Sequence, residues 1–321
     1  MMETPQPRGL LAAEAAHAQG AALTVRRIFW RRFLRHRLAV ASLAFLILLA
    51  LASAAAPLVE ALLDVDGNLV DLFNAKQPPS PAHPLGTDEL GRDLLVRLLY
   101  GGQVSLVVGL AAALCAAVIG TLLGLAAGYY GGRLDALLMR FTDGVIALPI
   151  LPLLIILAAI DLGKIGLPQG LVTSESISLY RIVFLIALVG WTTVARLVRG
   201  ATLSMKTREF VRAAEALGAS APRIMLVHIL PNVVSPIIVA TTLSIGGIIL
   251  LESVLSFLGL GIQPPLPSWG NMLTSAQELI WDAPALAIYP GALIFLTVIA
   301  FNFLGDGLQD ALDPRALQGE D

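Results

Sequence analysis

The sequence REFVRAAEALGASAPRIMLVHILPN, residues 208–232, is a run of mixed charge in a chain that is otherwise mostly apolar. Its first ten residues have helix-forming composition and are followed by Gly218, which suits the left-handed turn after a helix. Ser220 can cap a second helix, with Pro222 tolerated in its first turn and Pro231 ending it. The stretch therefore predicts either a projecting helix-turn-helix or an ordinary amphipathic connector that lies against the lipid headgroups.

The composition places the chain in a lipid bilayer. It is 57% hydrophobic and 14% charged, whereas an ordinary soluble domain is roughly 45–50% apolar and about 25% charged. The net charge of −2 argues against binding to nucleic acid. Cys115 is the one cysteine, so no intrachain disulfide is possible. We expect it to be a small packed side chain, and the scattered histidines suggest no metal site.

Six apolar stretches approach the length of about 20 residues that a membrane-crossing helix needs. They lie at about 38–62, 104–128, 144–161, 181–198, 233–257 and 284–304. Pro149 and Pro152 should kink the short third stretch. The predicted fold is an all-α bundle with six membrane spans.

Lysine and arginine collect on the cytoplasmic side of membrane proteins. Here they concentrate before the first span and in the second and fourth loops, so both termini should be cytoplasmic. The predicted segments are a basic N-terminal tail at 1–37, a membrane domain at 38–306 with an outer loop at 63–103 and a cytoplasmic loop at 199–232, and a C-terminal tail at 307–321.

The first span also resembles a secretory signal, because LASAAAP imitates a cleavage site. The polar leader is too long and the apolar run too extended for that interpretation. Before the span, Val25, Ile28, Phe29 and Phe33 recur at helical spacing among arginines. This pattern predicts an amphipathic helix in the headgroup plane, or a plain topological anchor.

The first outer loop should contain an amphipathic helix at residues 88–99, with Thr87 as its cap. It would either ease the chain into the second span or dock a partner. The expected supporting pairs are Asp88–Arg92 and Asp93–Arg97.

Small and polar residues inside the spans mark further contacts. Gly120, Gly124 and Gly128 form a stripe that lets another helix approach closely. Glu252 is ionisable within an apolar span, so it is a candidate for the translocation path or gate together with Ser256, or else a group that reaches water or pairs locally.

The fifth loop carries Trp269 and Trp281, which suit the membrane interface. Its prolines and glycines favour a folded outer cap or a partly re-entrant segment over a loose surface loop.

The opening stretch also carries a resemblance. A pattern of two alanines, three residues, glycine, and a later Leu-Pro resembles the cytoplasmic signature loop of binding-protein-dependent ABC importer permeases. The matching residues are Ala213, Ala214, Gly218, Leu230 and Pro231. Arg212 replaces the usual glutamate and His228 the usual isoleucine.

Four other segments narrow this resemblance to the second permease subunit of dipeptide, oligopeptide and nickel importers. They are HPLGTDELGRDLLVRLLYGGQVSL, GYYGGRLDALLMRFTDGVIALP, SFLGLGIQPPLPSWGNML and FNFLGDGLQDALDP. The resemblance implies a type I importer permease in a bacterial or archaeal cytoplasmic membrane.

The resemblance also implies partners. They are a homologous second permease, two cytoplasmic ATPase subunits that use ATP and Mg, and an extracytoplasmic protein that delivers a peptide. Residues 208–223 would form the coupling helix, which seats in an ATPase cleft. The implied contact residues are Arg208, Glu209, Arg212, Ala213, Ala214, Glu215, Gly218, Ala219 and Arg223.

The chain itself is not expected to bind a cofactor or to be an enzyme. Its one Gly-Lys pair, Gly163–Lys164, is followed by Ile165 and lacks the nucleotide-binding pattern. Transport of nickel or another small solute is an alternative. A secondary transporter or an intramembrane enzyme are others, but the spans hold few charges and no nucleophile-base constellation.

Overall fold

The computed structural model describes residues 27–161, 163, 164, 168, 170, 174 and 176–312, without the side chains of 276 and 277. Most of this part is helical. The helices are residues 27–35 (α1), Arg37–Ala54 (α2), Ala56–Leu63 (α3), Leu94–Tyr130 (α4), Gly132–Ala147 (α5), Ile150–Ala158 (α6), Ile177–Gly190 (α7), Thr192–Lys206 (α8), Glu209–Ala216 (α9), Ala221–Arg223 (α10), Leu230–Phe257 (α11), Ala276–Leu279 (α12) and Ala285–Leu312 (α13).

Four helical segments are long and apolar enough to cross a membrane. They are Arg37–Ala54, Leu94–Tyr130, Ala221–Phe257 and Ala285–Leu312. Two further pairs of helices, α5 with α6 and α7 with α8, meet the same test as bent units. The described residues therefore hold four candidate spans, or up to six if each bent pair crosses once, and the six-span topology stays a prediction.

The two bent pairs lie where the predicted third and fourth spans were placed. α5 and α6 meet at 84°, because Leu148 precedes Pro149 and takes an extended conformation with ψ 140°. The kink expected at this proline is confirmed. α7 and α8 meet at 42° beside Trp191. Each of the predicted spans 144–161 and 181–198 contains a bend. Hydrophobicity alone does not predict such a bend.

The glycine stripe of α4 forms the most extensive helix contact in the described part of the chain. A Cβ placed at Gly124 would lie 2.6 Å from the carbonyl oxygen of Ala195, and one at Gly120 would meet the Trp191 carbonyl at the same distance. A Cβ at Gly128 would lie 2.6 Å from Thr202. The predicted close helix approach is confirmed, and the partner is α8.

The first and last long helices meet at one end of the bundle. Ala39 of α2 packs against Gly307 of α13, and His36 lies 3.9 Å from Asp310. Phe33, only 3% exposed, packs here too. We name this the basic end, since α1 and residues 199–229 also lie there, and the opposite side the cap end.

The helix predicted at 88–99 is wrong in its first half. Asp88 accepts hydrogen bonds from the backbone N–H groups of Leu90 and Arg92, and Gly91 has φ +77°, so residues 88–93 form a turn. α4 begins at Leu94, where the Asp93 carboxylate caps it through Val96 N–H at 2.8 Å.

The ion pairs of this turn differ partly from the predicted ones. Asp88 pairs with Arg92 at 2.7 Å, as expected, and also with Arg97 at 3.3 Å. Asp93 instead contacts His83 at 3.0 Å. The turn brings Asp88 to Arg97, which a continuous helix would not do.

Gly124→Ala should lower the melting temperature of the purified protein in detergent, because its Cβ collides with the α8 backbone. Overpacking of this kind costs about 1–3 kcal/mol. Gly247→Ala is the matched control, since nothing lies within 4 Å of a Cβ there, and it should be neutral or stabilising. Equal melting temperatures for the two variants would contradict the close approach.

Candidate functional site

The helical loop at the basic end begins with α9. Its end is a Schellman turn, in which Gly218 has φ +82° and donates to the Glu215 carbonyl while Ala219 N–H donates to the Ala214 carbonyl, both at 3.0 Å. The predicted stop at Gly218 is confirmed. The two carbonyls at the end of the helix are thereby satisfied, and the following chain leaves in a fixed direction.

The second helix of the loop differs from its prediction. Pro222 lies in the first turn of α10 as expected, but Ser220 makes no side-chain capping bond. Residues Ile224–Ile229 form a π-helical turn that leads directly into α11, so Pro231 does not end the helix. Pro231 instead lies at the start of α11, directly after the π-helical turn.

Polar contacts brace the loop against the bundle. Arg199 holds both carboxylate oxygens of Asp135, through Nε at 2.5 Å and Nη2 at 2.6 Å. Lys206 Nζ donates to the Tyr129 carbonyl at 2.6 Å and lies 5.3 Å from the centre of the Tyr129 ring. α8 is thereby fixed to α5 and to the end of α4 just before the loop starts.

A separate apolar cluster supports the loop from beneath. Val211 of α9 and Ile224 and Ile229 of the π turn are each at most 1% exposed. They pack with Val198 of α8 and Leu125 of α4. The loop is therefore a packed extension of the bundle.

Most of the predicted contact residues of the loop are exposed. The exposed ones are Arg208, Glu209, Arg212, Ala213, Glu215, Gly218 and Arg223, whereas Ala214 and Ala219 are half-buried. Sequence reasoning missed two large apolar side chains there, Leu217 at 88% and Phe210 at 46% exposure. The spacing of apolar residues along the sequence does not distinguish these exposed side chains from that of Val211, which is buried.

A cleft of about 790 Å³ opens beside the loop. It lies between α8, α11 and α13 at the basic end. Its lining includes Ser204, Asn232, Pro236 and Gln309.

The second candidate site surrounds Glu252, which is 0% exposed, and Ser256, 1% exposed. Ser256 Oγ donates to Glu252 Oε1 at 2.6 Å, and Ser105 Oγ of α4 donates to Oε2 at 3.3 Å. Glu252 therefore does not reach water, and it links α11 to α4. An enclosed carboxyl group needs such donors, because its desolvation is otherwise costly.

The same two serines hold the cap segment, which we define as residues 258–284. Ser256 Oγ accepts from Ile262 N–H at 3.0 Å, and Ser105 Oγ accepts from Trp269 N–H at 3.2 Å. Each hydroxyl thus connects one oxygen of Glu252 to one backbone amide of the cap segment. Ser105 was not selected from the sequence, because only the fold brings it to Glu252.

Trp269 anchors the cap segment in the core. It is 0% exposed and donates from Nε1 to the Leu98 carbonyl at 3.0 Å. The segment is folded, as expected, and Trp269 packs inside the protein, where it fills the space over Gly101 and Gly102. Trp281 is 91% exposed. Cys115, expected to be packed, is exposed because it faces outward from α4.

The fold and these sites define a multi-pass helical membrane protein with a braced helical loop at one end and a sealed cap at the other. Residues 120–318 match the family described as binding-protein-dependent transport system inner membrane component. Residues 24–79 match the N-terminal TM domain of oligopeptide transport permease C. The chain belongs to this transport family and is an ABC importer permease of the OppC type.

Three curated relatives illustrate the similarity. The glutathione transport system permease protein GsiD of Pectobacterium atrosepticum is 43% identical, covering 90% of this chain and 91% of its own. The oligopeptide transport system permease protein OppC of Bacillus subtilis is 36% identical, covering 97% of this chain and 96% of its own. The protein of the same name from Haemophilus influenzae is 40% identical, covering 89% of this chain and 87% of its own. All three are named as transport system permease proteins.

Glu252→Ala should speed hydrogen exchange at the backbone amides of Ile262 and Trp269, because both serine hydroxyls lose the acceptor that orients them. Ser256→Ala should affect Ile262 alone, and Ser105→Ala should affect Trp269 alone. We expect a change of about tenfold, the effect of one lost hydrogen bond of about 1–1.5 kcal/mol. Mass spectrometry on peptides that separate the two amides measures it.

Ser244→Ala is the control, since the Ser244 hydroxyl donates to the Thr241 carbonyl in its own helix. It should leave both amides protected. Equal exchange at both amides in the two single serine variants would contradict the two separate connections.

Proposed function

We propose that this chain forms half of the translocation path of an ATP-driven importer and receives force through residues 208–223. The basic end, with both termini, faces the cytoplasm. The other half of the path comes from a homologous permease, and an extracytoplasmic binding protein delivers the substrate to the cap end. Two ATPase subunits use ATP and Mg, and each contacts one permease loop.

The exposed apolar tip of the loop carries this proposal. Leu217 stands next to the Schellman glycine with most of its side chain in solvent, and Phe210 is half-exposed on the same helix. Large apolar side chains outside the bilayer mark protein interaction surfaces when they occur together. Charged neighbours such as Arg212 and Glu215 form a polar rim that can set orientation.

The bracing explains how contact at the loop would move the membrane domain. A push on α9 reaches α8 through Val211 and the packed cluster, and it reaches α4 through the glycine stripe. Ala221–Phe257 continues from the loop into the bilayer without a gap. The cleft at the basic end lies between these elements and offers an exit route for substrate.

Glu252 and Ser256 serve the gate in this proposal, by holding the cap segment closed. Both are enclosed and engaged in hydrogen bonds, so they do not line an open path. Alternating access requires that the outer end be closed while the inner end is open, once substrate has entered. A closed cap end and a cleft at the basic end correspond to that state.

We infer that the substrate is a peptide. The relatives are named for oligopeptide and glutathione transport, and glutathione is itself a tripeptide. Nickel and other small solutes come second, because none of these three names refers to them. Family membership leaves no support for a secondary transporter.

Leu217→Asp and Ala214→Trp should each leave the protein in the membrane but reduce substrate-stimulated ATP hydrolysis about tenfold or more in the reconstituted complex. The first removes an apolar contact and the second fills the surface needed for close approach; a central interface contact is worth about 2 kcal/mol or more. Ala136→Trp is the control, because Ala136 is exposed on α5 at the same end. Full stimulation in both loop variants would contradict the coupling role.

A further inference from the structure

Arg181 lies at the cap end of α7, beside the cap segment. Its side chain is half-buried and its Nε atom is enclosed with no hydrogen-bond partner. Within the described part of the chain, its guanidinium donates from Nη2 to the Leu260 carbonyl at 3.5 Å, the limit of such a contact. Among the described residues, no carboxylate forms an ion pair with it.

The unpartnered Nε and the weakly bonded Nη2 form one edge of the guanidinium. Nε and Nη2 are the two donors with which Arg199 holds both oxygens of Asp135. This parallel pair of bonds is the geometry in which arginine recognises a carboxylate. In Arg181 the same edge meets one distant carbonyl.

Three other arginines that are buried or partly buried each form an ion pair. Arg92 and Arg97 both contact Asp88, and Arg199 contacts Asp135. An enclosed donor without a partner is destabilising, because it has lost its bonds to water. Arg181 thus lacks such a partner among the described residues, which suits it to a ligand.

We propose that Arg181 binds the carboxylate of the transported peptide at the cap end. This inference rests on the proposed function, which supplies a substrate with a C-terminal carboxylate. The Leu260 carbonyl holds the place of one carboxylate oxygen in the closed state, and its weak contact yields to a charged ligand. The site therefore selects peptides with a free C-terminus over their amides.

Arg181→Gln tests this in the full complex reconstituted with its partner subunits. The probes are tri-alanine and tri-alanine amide, and the readout is KM and kcat for ATP-dependent uptake of each. The free acid should lose about ten- to a hundredfold in kcat/KM, mainly through KM, while the amide changes little. Any preference for the free acid over the amide that the Arg181→Gln complex still shows comes from the binding protein, which the substitution does not change.

Arg181→Lys should restore part of the preference, since lysine keeps the charge without the two-donor edge. Lys164→Gln, at an exposed position near the same end, is the control for general surface charge and should behave as wild type. An equal loss for both peptides, or an unchanged acid preference in Arg181→Gln, would overturn the site. Absence of ATP-dependent uptake of either peptide by the wild-type complex would instead overturn the proposed function itself, and the site with it.

Discussion

The close contact between α4 and α8 is the constraint on which the rest of the structure depends. Within a bilayer, helices gain little from hydrophobic exclusion and associate through van der Waals contact, which small residues make possible. Glycines at three successive turns of α4 let the α8 backbone lie directly against it. The α8 backbone and the first atoms of its side chains lie against these glycines with little room to shift, so the two helices are suited to move together. The helical loop that follows α8 is therefore attached to α4 through α8.

Two long helical segments, Leu94–Tyr130 and Ala221–Phe257, join the two ends of the molecule. Each has 37 residues and, at about 1.5 Å per residue, exceeds the roughly 30 Å of a hydrocarbon core. The loop lies on both segments at the basic end, and Glu252 and Ser105 connect the same two at the cap end. The candidate coupling surface and the candidate gate therefore share their supports.

Sequence reasoning succeeded where local chemistry decides the structure. Gly218 ends a helix because of its own backbone freedom, and the stripe on α4 depends only on spacing. The errors involve contacts distant in sequence or competition between neighbours. Residues 88–93 leave the helix because Asp88 satisfies nearby backbone donors. Leu217 and Val211 look alike in sequence, yet tertiary packing buries one and exposes the other.

The cap segment is held by contacts of very different strength, and this difference bears on how a gate can work. Ile262 and Trp269 are tied through serine hydroxyls to a fully enclosed carboxyl group, and the Trp269 ring is packed over glycines. Leu260, two residues before Ile262, offers its carbonyl to Arg181 only at the limit of hydrogen bonding. A ligand can replace the weak contact without breaking the strong ones. The proposed substrate contact and the proposed gate therefore share one short segment, and the strong contacts would keep it in place while the weak one is exchanged.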